Sequence, residues 1–312
     1  MGSALRLEHR LDDVWLACLP FEHVGGLSVL LRTILYATTT TIHSGFDAQK
    51  VADEMASGRV TQISLVPSML RQVLELDEPG LAHPHLRIVL LGGAQASGEL
   101  CARARQAGLP LYRTWGMTEA ASQICTLRDL PSIAGDNMGA PLSFVEVSES
   151  CGKLSVSGLM SEEETLPTGD LGSIDTKGHI SVKGRLDRII KSGGKKISLS
   201  HLEKVLRSLP AVQDAQLLGR PDETWGERPV AFVKSSASAL ELRQELAPLL
   251  ELFEIPRCWF FVDRMPRNKL QKIDVSILQQ ALESLAPAAD EFSLDLCFDG
   301  SGLQPRLHNP LA

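Results

Sequence analysis

The sequence predicts a mixed α/β chain built in two parts: βα layers with a small β-barrel-like section, then a small α+β domain. Three observations predict it. Up to about residue 125, aliphatic runs alternate with amphipathic helical segments. From about residue 140 to 184 the runs shorten and alternate with period two. Beyond Lys191 a helical face and longer strands return.

In chain order, TQISLVPS (61–68) reads as a strand leading into the helical MLRQVLEL, and RIVLLGGA (87–94) as a strand leading into GELCARARQAG. LPLYRTWG (109–116) follows as a further strand, so the repeated strand–helix unit implies a parallel sheet. The Thr-rich stretch from Ala37 to Gly45 reads as strand and turn. VEVSES, GKLSVSG, DLGSID and GHISVKG, punctuated by Gly and Asp, read as antiparallel hairpins or a small barrel. Ser200 and Glu203 have the spacing of a capping box ahead of the face formed by Leu202, Val205, Leu206 and Leu209. DAQLLGR, RPVAFVKS and CWFFVD read as strands, with helices near 239–250 and 275–285. From about Pro287 no period is visible, and an irregular tail is expected. The expected division is 1–183, 184–290 and a tail at 291–312.

Composition narrows the function. A chain of 312 residues, 44% apolar, has enough material for two cores and is not a disordered chain. Its formal charge of −7 disfavours general nucleic-acid binding, which needs a basic surface. No two of the six cysteines stand at CxxC spacing, so they read as buried apolar residues in a reducing compartment. The charged start lacks the apolar stretch of a signal peptide, and runs such as Leu27–Leu31 are too short to span a bilayer. A soluble, cytoplasmic protein with a small-molecule site, and with neither nucleic acid nor membrane as partner, is the expectation.

Four segments carry chemistry. In Tyr112–Glu119 the Gly-x-Thr-Glu turn offers a hydroxyl and N–H groups to a phosphate and a carboxylate to a hard cation, while Trp115 can stack on a planar base. The plainer reading is a polar turn beside a buried Trp. In Leu166–Gly172, Asp170 can accept two hydrogen bonds from a ribose diol, or close an Asx-turn on its own backbone. In Gly184–Gly194, Arg185 and Lys191 can meet anionic oxygens and the paired glycines allow close approach, or the segment is a solvated basic linker. In Pro266–Ile273, Lys272 is either a mobile point charge on a loop or a solvated surface lysine.

Order and spacing bring these segments together. LPFEHVGGL (19–27), LVPSML (65–70), LLGGA (90–94), TWGMTE, TGDLG, GRLDRIIKSGG and PRNKLQK resemble, in sequence order, the core motifs of the adenylate-forming superfamily of acyl-CoA synthetases, peptide-synthetase adenylation domains and luciferases. The resemblance covers about residues 12–285. Within it, LPFEHVGGLSVLLR, LLGGA and the short C-terminal half are most similar to the o-succinylbenzoate–CoA ligase branch of menaquinone biosynthesis.

The resemblance implies an ATP-dependent acid–CoA ligase with ATP/AMP, Mg²⁺ and CoA as ligands, made of a truncated large domain and a C-terminal mobile domain. It places Trp115 and Gly116 by the adenine, Thr118 at the α-phosphate and Glu119 at Mg²⁺. Asp170 and Arg185 would hold the ribose, and Asp187 would be the hinge. Lys272 would bridge carboxylate and phosphate, and His23 would line the acyl pocket. The backbone of Gly92, Gly93 and Ala94 would flank acyl group and nucleotide. Lys191 would meet anionic oxygens, Gly194 would border the pantetheine tunnel, and Arg32 would serve a second carboxylate of an aromatic acid.

The chain departs from the pattern in one major respect. The superfamily's phosphate-binding loop, (S/T)SG(S/T)TGxPKG, precedes the LPFEHVGGL segment, and this sequence contains no such stretch. The region that would pack on the first part is likewise missing, so an exposed apolar face is expected unless a separate N-terminal polypeptide or a second copy covers it. Lys195-Lys196 also makes the hinge region more basic than usual. Three readings follow: a ligase completed by another polypeptide, an ATP-independent acyl transferase using CoA thioesters, or a non-catalytic nucleotide- or CoA-binding remnant.

Overall fold

Strands buried on both faces need covering layers above and below, and that requirement organises the N-terminal part. A computed structural model describes residues 2–78, 80–133, 136–158, 165–269, 271–286 and 291–305. The chain divides into two units, 1–183 with 269–272, and 184–268 with 273–312.

The first unit begins with α1 (Gly2–Arg6), β1 (Val14–Ala17), α2 (Val24–Tyr36), β2 (Thr39–Ile42), α3 (Ala48–Ala56) and β3 (Gln62–Leu65). It continues with α4 (Pro67–Glu75), β4 (Ile88–Leu91), α5 (Gly98–Gln106), β5 (Leu111–Met117) and β6 (Ser122–Arg128). These strands form one sheet, β2-β1-β3-β4-β5-β6, parallel except for the final β5–β6 pair. Every residue of β3 and β4 is buried. Met55, Met69, Leu70, Val73 and Leu100 of α3–α5 pack on Ile63, Leu65, Val89 and Leu91. Side-chain caps start two of these helices: Asp47 accepts from Lys50 N and Ser97 from Leu100 N. Pro67 opens α4 at a position where its missing N–H costs nothing.

The opposite face is covered by α2, whose Val29 joins Trp15, Ala17, Ile88 and Leu90. Its outer side is also apolar. Leu27, Leu31, Ile34 and Leu35, spaced four, three and one apart along the helix, are 44%, 50%, 77% and 71% exposed. A helix apolar all round is built for burial, so the expected uncovered face is present. Next to it, Ile42 on edge strand β2 is 58% exposed.

A second sheet of this unit holds β7 (Val145–Ser150), β8 (Lys153–Gly158), β9 (Leu166–Ile174) and β10 (Ile180–Arg185) in the order β10-β9-β8-β7. Of the two forms the sequence allows, these hairpins adopt an open sheet and not a barrel. Leu154, Val156 and Ile180 pack on Trp115, Ile124 and Cys125, which ties this layer to the β5–β6 hairpin.

The second unit runs through a 3-10 turn (Leu186–Arg188), β11 (Ile189–Ser192), β12 (Lys195–Ser198), α6 (Leu199–Ser208), β13 (Val212–Asp222) and β14 (Gly226–Ser235). It ends with α7 (Ala239–Leu246), β15 (Cys258–Val262), α8 (Val275–Leu285), β16 (Phe292–Phe298) and β17 (Leu303–Pro305). One sheet of order β12-β11-β14-β15-β16-β17, with β13 also paired to β14, has a core on each face. Leu202, Leu206, Leu242 and Leu246 of α6 and α7 lie on one side, and Leu278 and Leu282 of α8 on the other.

Two expectations are corrected here. The expected tail contains β16, parallel to β15, and β17, antiparallel to β16. Phe292, Leu294, Leu296 and Phe298 do alternate with period two, but the flanking prolines and the short run obscured it; 287–290 and 306–312 lie outside the described residues. The helix α6 is capped by Ser198, not Ser200, and Glu203 makes no capping box. Glu203 sits in the fifth helical position and turns inward, where it accepts from Leu217 N at 2.8 Å and Gln216 Nε2 at 2.7 Å and pairs with Arg188. A full capping box does occur at Ser238 and Glu241.

Candidate active site

In an open α/β sheet, ligands bind beyond the carboxyl ends of the strands, where loops and helix starts converge. Four of the motifs stand there in the first unit. LPFEHVGGL follows β1, LVPSML follows β3, LLGGA ends β4, and TWGMTE ends β5. The parallel register of β1, β3, β4 and β5 brings these ends to one edge.

Close approach explains the glycines. A Cβ on Gly26 would lie 2.2 Å from Pro20 O, so only glycine lets α2 start directly after LPFEH. His23 is the residue preceding that helix and is partly exposed. Gly92 N donates to Leu65 O at 3.1 Å, joining the ends of β3 and β4. Gly93 has φ of +80°, and a Cβ there would stand 3.3 Å from Lys272 Cε. The segment 269–272 belongs to this unit, and Ser68 Oγ at the start of α4 donates to Gln271 O at 2.7 Å. Burial lowers the Lys272 pKa below the ordinary lysine value, since a half-dry ammonium is poorly solvated. Lys272 is therefore set against the Gly92-Gly93-Ala94 loop and is not a freely solvated lysine.

At the end of β5 the chain reverses into β6. A Cβ on Gly116 would fall 1.6 Å from Ser122 O, so glycine is required where the two strands meet at an irregular register. Thr118 and Glu119 are exposed on the connecting turn. Among the described residues no three His, Cys, Asp or Glu side chains group as a metal site. A single exposed carboxylate nevertheless fits Mg²⁺, which keeps several waters and is shared with substrate phosphates.

Trp115 takes the plainer of its two readings, a buried ring beside a polar turn. Its ring is 8% exposed, and its Nε1–H donates to Asp170 Oδ2 at 2.8 Å. The ring joins Ile124, Cys125, Leu154 and Val156 in the core. Asp170 is 9% exposed and lies within β9, not in the expected loop. Its N–H donates to Thr168 Oγ1 at 3.0 Å, within the strand.

Arg32, in α2, is 8% exposed. Its Nη2 donates to Gln123 Oε1 at 2.7 Å and its Nε to Ser3 Oγ at 3.1 Å, and its guanidinium lies 5.2 Å from the Trp15 ring centroid. Among the described residues no carboxylate is at ion-pair distance, and burial lowers its pKa to about 10. Gln123, which pairs with Gly116 across the hairpin, and Ser68 were not picked out from the sequence. A long amide directly before the ICTL run of β6 was the available signal for Gln123.

In the second unit, Arg185 Nε donates to both Asp187 carboxylate oxygens at 3.1 and 3.2 Å, so the expected ribose and hinge residues are paired with each other. Lys191 is exposed on β11, and Gly194, with φ of +79°, closes the β11–β12 hairpin.

Fold and site together define an α/β protein with a candidate small-molecule site: an open sheet with glycine-lined loops, a half-buried lysine and a turn carboxylate at its carboxyl edge. Residues 1–154 match the AMP-binding enzyme family and residues 201–272 the AMP-binding enzyme C-terminal domain. The chain belongs to the adenylate-forming superfamily. It is 35% identical over 313 residues to 2-succinylbenzoate–CoA ligase of Bacillus cytotoxicus, across 91% of this chain and 65% of that enzyme. The Geobacillus enzyme of the same name is 35% identical over 318 residues. The Bacillus subtilis o-succinylbenzoate CoA synthetase, in complex with its acyl-adenylate intermediate, superimposes with a TM-score of 0.79 at 32% identity, over 92% of this chain and 64% of that one. ATP-bound MatB from Rhodopseudomonas palustris, at 22% identity and a TM-score of 0.80, shares the fold. The chain thus spans about 65% of the length of the curated relatives it matches.

Proposed function

We propose that the chain is a cytoplasmic acid–CoA ligase for an aromatic acid bearing a second carboxylate, such as o-succinylbenzoate, working with a separate polypeptide that supplies the phosphate-binding loop. The first unit acts as a partial AMP-binding large domain and residues 184–290 as the C-terminal mobile domain. One observation carries this reading: four motifs of the family end at one carboxyl edge, with Lys272 held against Gly93.

The chemistry begins with two anions. A substrate carboxylate oxygen attacks the α-phosphorus of ATP, the bond to the β,γ-diphosphate breaks, and pyrophosphate leaves with its electron pair. Lys272 stands beside the loop where the two anions meet. One unit charge about 4 Å away offsets roughly 4 kcal/mol of repulsion at an effective dielectric near 20. Thr118 donates to the α-phosphate, and Glu119 would hold Mg²⁺, whose charge further offsets that of the phosphates. Gly92, Gly93 and Ala94 present backbone along the acyl group, and His23 borders the acyl pocket. Asp170 and Arg185, released from their present partners, hold the ribose, with Trp115 and Gly116 near the base. In the second half-reaction the CoA thiolate attacks the acyl carbonyl and AMP leaves. Asp187 is the hinge that withdraws Lys272, and Lys191 and Gly194 then face the phosphopantetheine.

Arg32 supports the substrate class. A buried cation without an anion is costly, and a substrate carboxylate meets that need. The apolar outer side of α2 supports the partner, because it leaves a face built for burial uncovered. The AMP-proximal and thiol-proximal motifs also suit one other reading, an acyl transferase that moves acyl groups between CoA and an acceptor without ATP. Acyl exchange between two labelled thiols in the absence of nucleotide tests for it. Such exchange would replace the ligase reading, and strict ATP dependence would uphold it.

A further inference from the structure

We propose that His9 is a proton-dependent positioning residue for the substrate acid: it and Arg32 flank the Trp15 ring, so a carboxylate arriving at Arg32 draws a proton from solvent onto His9. The proposal rests on the ligase reading for that acid. His9 lies outside every motif that carries the family resemblance, since the first of them begins at Leu19.

Geometry supplies the first argument. The His9 side chain is 8% exposed, and its Nδ1 lies 3.7 Å from Asp13 Oδ2. That carboxylate is already committed. It accepts from Arg87 Nε at 3.1 Å and Nη2 at 2.7 Å, from Thr61 Oγ1 at 2.9 Å and from Arg10 N at 2.8 Å. The His9 ring meets Tyr36 edge-on at 5.0 Å between centroids and stands 6.3 Å from the Trp15 ring. The Arg32 guanidinium lies 5.2 Å from the same Trp15 centroid. Arg32 and Tyr36 are four residues apart on α2 and so share a face of the helix. Among the described residues His9 Nε2 and the Tyr36 hydroxyl are buried without a hydrogen-bond partner. A buried ring nitrogen left unpaired calls for a reason, and a second charge state of the imidazole supplies one. As an imidazolium it donates from both nitrogens, and the Tyr36 oxygen on the adjoining ring is an unused acceptor.

Charge supplies the second. The ionisable groups facing His9 are Asp13 ahead of β1, Arg32 and Tyr36 on α2, and Arg87 ahead of β4. Burial, above all, holds the His9 pKa below its ordinary 6.5; Asp13 raises it, and Arg32 and Arg87 lower it. His9 is therefore neutral at pH 7. A carboxylate beside Arg32 cancels the repulsion that His9 feels from that side. Linkage makes the effect reciprocal: binding the acid takes up a proton, and low pH tightens the binding. Folding has its own pH dependence. A base whose folded pKa lies below its unfolded value loses stability as pH falls from about 6.5 toward the folded value, so the bound acid offsets part of that loss.

The test follows the histidine ring signals of the full chain by carbon-13 NMR through a pH titration, with His9→Gln identifying the His9 signal among the eight histidines. The His9 midpoint is expected to rise by about 0.5–1 on the pH scale in Arg32→Met and to stay low in Arg32→Lys, which keeps the charge. The acid arm uses the chain combined with the phosphate-loop region of a Bacillus 2-succinylbenzoate–CoA ligase. Saturating 2-succinylbenzoate should raise the midpoint by a similar amount, and benzoate should not. By calorimetry, 2-succinylbenzoate should bind about threefold tighter at pH 5.5 than at pH 8, and His9→Gln should flatten that dependence. A histidine that only packs would leave the dependence in place when replaced. A His9 midpoint equal in parent and Arg32→Met, or a pH dependence that survives His9→Gln, overturns the proposal. A midpoint that rises in Arg32→Met, in a protein that binds neither acid and forms no acyl-CoA, upholds the coupled pair and sinks the ligase reading alone. Acyl-CoA formation with a midpoint that neither Arg32→Met nor 2-succinylbenzoate moves sinks this proposal alone.

Discussion

Replacing Arg32 with methionine separates a structural arginine from one that awaits a substrate carboxylate. Its pKa falls from 12.5 to about 10 on folding, because burial penalises the charged form. That difference corresponds to a cost of roughly 3 kcal/mol for keeping the cation in the folded chain at neutral pH. The sign follows: a lowered pKa in a base means that stability rises as pH climbs through the folded value. Against this cost stand the hydrogen bonds to Gln123 and Ser3, together about 1.5–3 kcal/mol. The two nearly cancel, so Arg32→Met should leave stability within about 2 kcal/mol of the parent by urea denaturation. Ligand binding should respond quite differently. A carboxylate about 4 Å from the guanidinium gains up to roughly 4 kcal/mol, so affinity for 2-succinylbenzoate should fall about 10²–10³-fold. Affinity for benzoate, which lacks the second carboxylate, should hold. Calorimetry with both acids, on the chain combined with its N-terminal partner, reads this out. An equal loss for both acids, or a loss of stability well beyond 2 kcal/mol, would refute the reasoning.

Other residues give sharp expectations. Lys272→Ala should abolish acyl-adenylate formation while leaving thioester formation from supplied acyl-adenylate intact, as measured by pyrophosphate release and acyl-CoA yield. Because burial lowers its pKa, adenylation in the parent should decline on the alkaline side before an ordinary lysine would deprotonate, and a pH profile to high pH tests this. Gly116→Ala should cost about 3 kcal/mol or more in urea, because its Cβ would collide with the Ser122 carbonyl 1.6 Å away. Leu31→Lys combined with Ile34→Lys should reduce self-association of the isolated chain by light scattering and prevent complementation by an N-terminal polypeptide, with little change in Tm.

The fold was largely legible because its signals are local. Strands buried on both faces read as short aliphatic runs, and the helices after them begin at Pro67, two residues before the expected MLRQVLEL, and at Gly98, where GELCARARQAG begins. What escaped depends on distant partners. Glu203 has the sequence spacing of a cap, but Arg188 and the β13 backbone claim it. Trp115 reads as a buried ring beside a polar turn, but the bond from its N–H to Asp170, far along the chain, exists only after folding. The motifs place Lys272 in a site by their order, yet its seating against Gly93 and the latch from Ser68 to Gln271 exist only after folding. The family resemblance picks out Arg32, while its burial beside Gln123 without a carboxylate is a tertiary fact.

The most direct test of the central claim is exchange of radiolabelled pyrophosphate into ATP. The chain is mixed with the region of a Bacillus 2-succinylbenzoate–CoA ligase that carries the phosphate-binding loop, with and without 2-succinylbenzoate. Exchange that requires the acid and both polypeptides, and that disappears with Lys272→Ala, is the predicted result. No acid-dependent exchange in a mixture shown by light scattering to form a complex, or exchange unchanged in Lys272→Ala, would contradict the account.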